Sequence, residues 1–143
     1  MNEYVENPPF VALIDDDPHS AHLLSRMLAA AGAPEIRYYG DAREGGIMLA
    51  DAFGGPASGH PAHLVIDLKA HSQANRDFLL TIRPLLHRTG LEAVVMAQTS
   101  DPLLARSLHE AGAAAVFIRH AELEAYRRQA ADIVGFWARD RRL

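Results

Sequence analysis

The sequence predicts an α/β fold in which a five-stranded parallel sheet is covered by helices on both faces. Along the 143 residues, short apolar runs alternate with segments of helical periodicity, five of each. Most of these runs are almost wholly apolar, which is typical of parallel strands buried on both faces. Two of them, residues 10–14 and 63–66, end directly in aspartate. Because ligands bind outside the carboxyl ends of such strands, these acids mark the candidate site.

The composition is that of one ordinary globular domain. Hydrophobic residues make up 49% and charged residues 22%, and the formal net charge of -4 argues against a nucleic-acid partner. Cysteine is absent, so no disulfide or thiolate metal site is expected. The sequence shows no membrane-spanning run and no signal peptide, so we expect a cytoplasmic protein without a membrane partner. Residues 1–8 are expected to be a flexible lead-in, and residues 9–143 the folded domain.

The first strand, residues 10–14, is followed by a clear helix start. Asp17 is the expected N-cap, and Pro18 lies in the first turn, where its missing N–H costs nothing. Gly32 ends this helix.

The second strand, residues 35–39, leads into a helix that begins with a capping box. Asp41 is the N-cap and Glu44 lies three residues later, although the two glycines that follow weaken the helix. Residues 54–61 are rich in glycine and proline and predict a flexible loop.

The third strand is predicted within residues 63–69, as an apolar run that ends in Asp67, and the fourth at residues 91–97. The helix between them carries an apolar stripe that contains Pro84, which predicts a kink or an early end there. Asp101 with the proline after it repeats the N-cap signal of the first helix.

The last strand is predicted at residues 113–118 and the last helix at residues 121–139. Phe136 lies off the apolar stripe of that helix, so we expect it to be exposed and to form the interface of any homodimer. The stripe itself is expected to pack on the core and contains Leu123, Tyr126, Ala130, Ile133 and Trp137.

A flavodoxin-like strand order, 2-1-3-4-5, would bring the acids of strands 1 and 3 together at the switch point. Asp15, Asp16 and Asp67 would then crowd at one edge, where carboxylates repel unless a cation or protons neutralise them. Mg²⁺ suits such an incomplete oxygen cage and is the expected cofactor. A carboxylate beside Mg²⁺ can itself accept a phosphoryl group.

Three stretches, LIDDDPH, LVIDLK and HEAGAAAVFIR, resemble the receiver domain (CheY-like) of two-component response regulators, over about residues 9–138. The resemblance implies that Asp15 and Asp16 bind Mg²⁺ and that Asp67 is the phosphoacceptor. It also implies that the backbone carbonyl of Lys69 is a further metal ligand. The implied partners are a histidine kinase or phosphotransfer protein and a downstream protein.

Other positions depart from the family pattern. Ala97 stands where receivers have the Ser or Thr that ends strand 4, and Thr99 or Ser100 could substitute only if the loop is shifted. Arg119-His120 replaces the Lys-Pro pair that ends strand 5, so the cis peptide of that pair is not expected. Arginine keeps the charge but is a broad planar fork rather than a compact ammonium.

These departures leave three functions open. The first is a stand-alone receiver that accepts phosphate on Asp67, which makes it a signalling domain and not an enzyme beyond its own phosphorylation and dephosphorylation. The second is a pseudo-receiver, a binding module that phosphate does not control. The third is a haloacid dehalogenase-type phosphatase, which would need a lysine late in the chain, whereas the only lysine is Lys69.

Overall fold

A computed structural model describes residues 8–141 of the chain. It contains five strands, five helices and a short 3-10 turn at Ala57–Gly59. The strands are β1 Phe10–Asp15, β2 Glu35–Gly40, β3 His63–Asp67, β4 Ala93–Ala97 and β5 Ala113–Ile118. The helices are α1 Pro18–Ala30, α2 Ala42–Gly54, α3 Ala74–Thr89, α4 Pro102–Ala111 and α5 Leu123–Arg141.

The five strands form one parallel sheet in the order β2-β1-β3-β4-β5. The predicted fold class, strand order and alternation of elements are therefore confirmed. The residues of β1, β3 and β4 are all buried, as their apolar composition predicts.

Each face of the sheet carries its own apolar core. On one face α1 and α5 pack over β1, β3 and β4 through Leu24, Leu28, Ile133 and Trp137. On the other face α2, α3 and α4 cover the same strands. The central strands are thus shielded on both sides.

The predicted helix starts are present. Asp17 accepts hydrogen bonds from the backbone N–H groups of the first turn of α1, and Asp101 does the same for α4. Asp41 and Glu44 form the predicted capping box of α2. The helix continues through the glycine at position 45. A β-carbon there would lie 2.3 Å from Cδ1 of Ile14, so a larger residue would not fit. Glycine is what lets α2 approach β1 closely.

Two details of the sequence prediction were wrong. The helix α3 does not end at Pro84 but continues to Thr89, and its buried face holds Leu86 beyond the proline in the core. Leu123, placed on the core stripe, is 50% exposed because it lies at the very start of α5. The loop predicted at residues 54–61 is present after the end of α2 and contains the 3-10 turn, and His60 packs on Phe53 with ring centroids 4.6 Å apart.

Residues 1–7 of the expected lead-in lie outside the described residues. Within residues 8–141, no helix combines the length and the hydropathy needed to cross a membrane.

Candidate functional site

The parallel pairing of β1 and β3 sets the centre of the site. Asp15 and Asp67 are the last residues of these two strands and are direct register partners. Both side chains are fully buried. Two adjacent buried carboxylates repel each other, so they require compensating positive charge or a proton.

Two basic side chains supply that charge. The ammonium Nζ of Lys69 donates to Oδ1 of Asp15 at 2.6 Å and lies 3.3 Å from Oδ2 of Asp67. The guanidinium of Arg119, just past the end of β5, donates to Oδ1 of Asp67. Both cations are themselves mostly buried, with side chains 19% and 16% exposed. Asp67 therefore has a cation on each oxygen.

Asp16 is turned toward the loop that follows β3. Its carboxylate accepts hydrogen bonds from the backbone N–H of Lys69, at 3.1 Å and 3.0 Å, and from that of Ala70 at 2.8 Å. The acid thus pins this loop to the end of β1. The structure brings all three predicted acids to the same edge, but Asp16 serves the backbone rather than the other two carboxylates.

Burial controls the protonation of Asp15. Loss of solvent raises the pKa of its carboxyl to about 6, the hydrogen bond from Lys69 opposes this rise, and the negative charge of Asp67 adds to it. One of its oxygens, Oδ2, is buried without a hydrogen-bond partner among the described residues.

Three polar side chains at the site escaped the sequence analysis. The hydroxyl of Ser20 lies 3.4 Å from Oδ2 of Asp67, and that of Tyr38 donates to the backbone carbonyl of Asp15 at 2.6 Å. The amide of Asn75 holds the loop after β3 from the other side, since its oxygen accepts from the backbone N–H of Leu68 and its nitrogen donates to the backbone carbonyl of Met96 in β4. Of the three, Ser20 could have been identified from the sequence, because it lies in the first helical turn after the acids of β1.

Tyr126 of α5 was assigned only to the core, and it is buried as expected. Its hydroxyl, however, has no hydrogen-bond partner among the described residues. Burial raises the pKa of this phenol, the charge of Asp67 raises it further, and Arg119 lowers it. The side chain therefore lies within electrostatic reach of the site. No sequence pattern distinguishes such a tyrosine from a purely packing one.

The residues present do not fit Mg²⁺ in the observed arrangement. The ion needs oxygens of Asp15, Asp16 and Asp67, but the ammonium of Lys69 lies between the first and the third, and backbone N–H groups hold the second. Among residues 8–141, no set of three or more His, Cys, Asp or Glu side chains is placed to hold a metal ion. The sequence analysis assigned only the backbone carbonyl of Lys69 to the site and overlooked its side chain, which contacts the acids directly.

Comparison with solved structures identifies the architecture. The Mn(2+)-bound form of response regulator Rcp1 matches with a TM-score of 0.73 and 16% identity, over 91% of this chain and 94% of that one. The phosphorylated cyanobacterial phytochrome response regulator RcpA matches with a TM-score of 0.73 and 19% identity, over 91% and 94%. A response regulator receiver domain from Rhodospirillum rubrum matches with a TM-score of 0.71 and 20% identity, over 90% of this chain and 93% of that one.

The chain has the receiver-domain fold. The predicted resemblance is confirmed at the level of the fold. No protein-family model matches the sequence, and no curated protein matches it significantly.

In this receiver fold, the position that ends β4 lacks a hydroxyl. Ala97 is buried and lines a cleft of about 380 Å³ between the loops that follow β3 and β4. Thr99 and Ser100 lie on the exposed loop beyond it. The hydroxyl of Thr99 lies 3.5 Å from the backbone nitrogen of Asp101, at the start of α4. The side chain of Thr99 is thus engaged locally, and its role as a substitute stays a prediction.

At the opposite side of the receiver fold, Phe136 is half-buried rather than fully exposed. Its ring packs edge-on against Phe117 of β5, with centroids 6.3 Å apart. The peptide between Arg119 and His120 is trans, like the others in residues 8–141.

Proposed function

We propose that this chain is a receiver domain that accepts a phosphoryl group on Asp67 and signals through contacts with other proteins. The observation that carries the proposal is the register pairing of Asp15 and Asp67 at the switch point of a receiver fold, with basic side chains on the acceptor. The solved structure of phosphorylated RcpA supports phosphoryl acceptance on this fold.

The chemistry is a single transfer to a carboxylate. An oxygen of Asp67 attacks the phosphorus of a phosphohistidine, the bond from phosphorus to the histidine nitrogen breaks, and the leaving imidazole takes a proton from water. Lys69 and Arg119 already lie on Asp67, so their charges would offset the negative charge that the phosphoryl oxygens bring. The transfer is stoichiometric, so we assign a signalling role rather than turnover of a substrate.

We assign the phosphoryl donor to the class of histidine kinases or phosphotransfer proteins, and place the reaction in the cytoplasm. A downstream protein partner would read the modified domain. Magnesium at Asp15, Asp16 and Asp67 is the predicted cofactor, and the Mn(2+)-bound form of Rcp1 supports a divalent ion on this fold. In this chain, the ammonium of Lys69 already contacts Asp15, which argues against a metal ion there.

Acetyl phosphate, a small-molecule phosphoryl donor, tests the proposal directly. We expect the intact protein to gain the mass of one phosphoryl group, and Asp67→Asn to gain none because the amide is not a nucleophile. Reactions with and without Mg²⁺ show whether the metal is required. Absence of the adduct in both, with the protein folded, would overturn phosphoryl acceptance.

A pseudo-receiver is the second candidate, and a specific observation favours it. Asp67 is fully buried with both oxygens engaged, and Ala97 offers no hydroxyl to a phosphoryl group. In this case the domain binds its partner in the unmodified state, and the acetyl phosphate experiment shows no adduct. No observation on residues 8–141, which form one domain around a single sheet, favours the phosphatase alternative.

Self-association through α5 and β5 gives a separate prediction. If the protein dimerises, Phe136→Glu should dissociate the dimer, because a charge would enter an apolar contact beside Phe117. Sedimentation velocity measures the change. Phe136→Leu keeps the surface apolar and should keep the dimer, while Leu103→Glu places the same charge on α4 at a side chain 71% exposed. A dimer that survives Phe136→Glu lies on another face.

A further inference from the structure

Lys69 is the only lysine of the chain, and its side chain folds back over the end of β3. The ammonium contacts three oxygens: Oδ1 of Asp15 at 2.6 Å, the backbone carbonyl of Asp67 at 2.8 Å, and Oδ2 of Asp67 at 3.3 Å. An ammonium has three N–H donors, so this oxygen set can satisfy all of them. Two of the acceptors are the carboxylates that a metal ion in this cluster would need.

The charges at the buried centre are balanced without a metal. Asp15 and Asp67 contribute two negative charges, and Lys69 and Arg119 contribute two positive charges in direct contact with them. The third acid, Asp16, is satisfied by backbone N–H groups. Counted with Asp16, the three acids and the two basic side chains carry a net charge of -1, so a divalent ion added without displacing Lys69 would make this poorly solvated group positive.

We propose that the ammonium of Lys69 is the resident cation of this acidic cluster and takes the place of a divalent metal. The domain then folds and holds Asp15 and Asp67 together without metal, and a divalent ion binds only if it displaces Lys69. The inference concerns the same site as the proposed function. Its test uses no phosphoryl donor, so either can fail without the other.

The decisive variant is Lys69→Met, which keeps much of the side-chain length and removes the ammonium. Thermal melts in millimolar MgCl2, at constant ionic strength, measure binding to the native state. We expect no saturable shift of the wild-type midpoint with MgCl2. In Lys69→Met we expect a saturable rise of the midpoint that corresponds to Mg²⁺ binding at least about tenfold tighter than in wild type, because the competing cation is gone. Arg88→Met removes a charge from an exposed side chain and should behave as wild type. Adding Asp15→Asn to Lys69→Met should abolish the gain.

Equal saturable stabilisation of wild type and Lys69→Met by MgCl2 would overturn the proposal, as would a Lys69→Met protein that gains nothing.

A second measurement needs no variant and covers the case in which Lys69→Met does not fold. Protein labelled with lysine carrying ¹⁵N at Nζ gives one side-chain signal, because the chain has one lysine. The Lys69 side chain is 19% exposed and its ammonium is ion-paired, so we expect a protected signal that does not move on titration with MgCl2. A shift that saturates with MgCl2, or an unprotected ammonium in metal-free protein, would contradict the assignment.

Discussion

Replacing Arg119 by methionine is expected to destabilise the fold by about 3 kcal/mol, because it leaves the fully buried Asp67 without its main partner. The remaining cation, Lys69, lies 3.3 Å from the other oxygen and compensates only in part. For a domain of this size the thermal midpoint should fall by about 10 °C. Urea unfolding gives the free energy and a thermal melt gives the midpoint.

Two comparisons separate the lost ion pair from lost packing. Arg88→Met removes a solvent-exposed arginine of α3 and should change the stability by less than about 0.5 kcal/mol. Adding Asp67→Asn to Arg119→Met should recover part of the loss, since the buried charge that lacks its partner is then removed. If the double variant is as unstable as the sum of the single ones, the ion pair is not the cause.

The fold was predictable because its strands are apolar on both faces. The runs that became β1, β3 and β4 carry no alternation, and parallel strands are the structures that need such composition. The parallel strand order then predicts that Asp15 and Asp67 lie side by side, and they are register partners. The backbone topology alone is sufficient for this step.

The chemistry of the site was less predictable because it depends on long side chains. The family resemblance placed the backbone of Lys69 near the acids but did not show that its flexible side chain folds back to Asp15. Arg119 was expected to retain charge, yet its contact with Asp67 depends on the conformation of the guanidinium in the folded chain. The backbone at Pro84 was also difficult to predict. The helix α3 continues through this proline because burial of one helix face offsets the local free-energy cost of proline in a helix.

The readout of phosphorylation gives the other large expected effect. In the family that the sequence resembles, a hydroxyl at the end of strand 4 moves to the phosphoryl group and a strand 5 aromatic follows it. Ala97 has no hydroxyl, and Val116 stands where the aromatic is expected. A ligand shifts an equilibrium only by the difference in its affinity for the two states. We therefore expect phosphorylation of Asp67 to change the structure little.

Restoring the hydroxyl should restore the coupling between Asp67 and the β4-α4 region. A hydrogen bond to a charged group is worth about 1.5–3 kcal/mol, so Ala97→Thr should raise the population of a shifted state about tenfold or more. The cleft of about 380 Å³ beside Ala97 offers room for the larger side chain. Ala97→Val has nearly the same shape without the hydroxyl and is the matched control.

Amide spectra with and without beryllofluoride, a mimic of the phosphoryl group, measure the coupling in each protein, in the presence and absence of Mg²⁺. We expect wild type and Ala97→Val to shift only around Asp15 and Asp67, and Ala97→Thr to shift across residues 100–120 as well. Since threonine and valine fill the same volume, a difference between them isolates the hydrogen bond from packing. Wide shifts in the wild type would contradict the prediction and would assign the missing hydroxyl's role to Thr99 or Ser100, whose loop leads directly into α4.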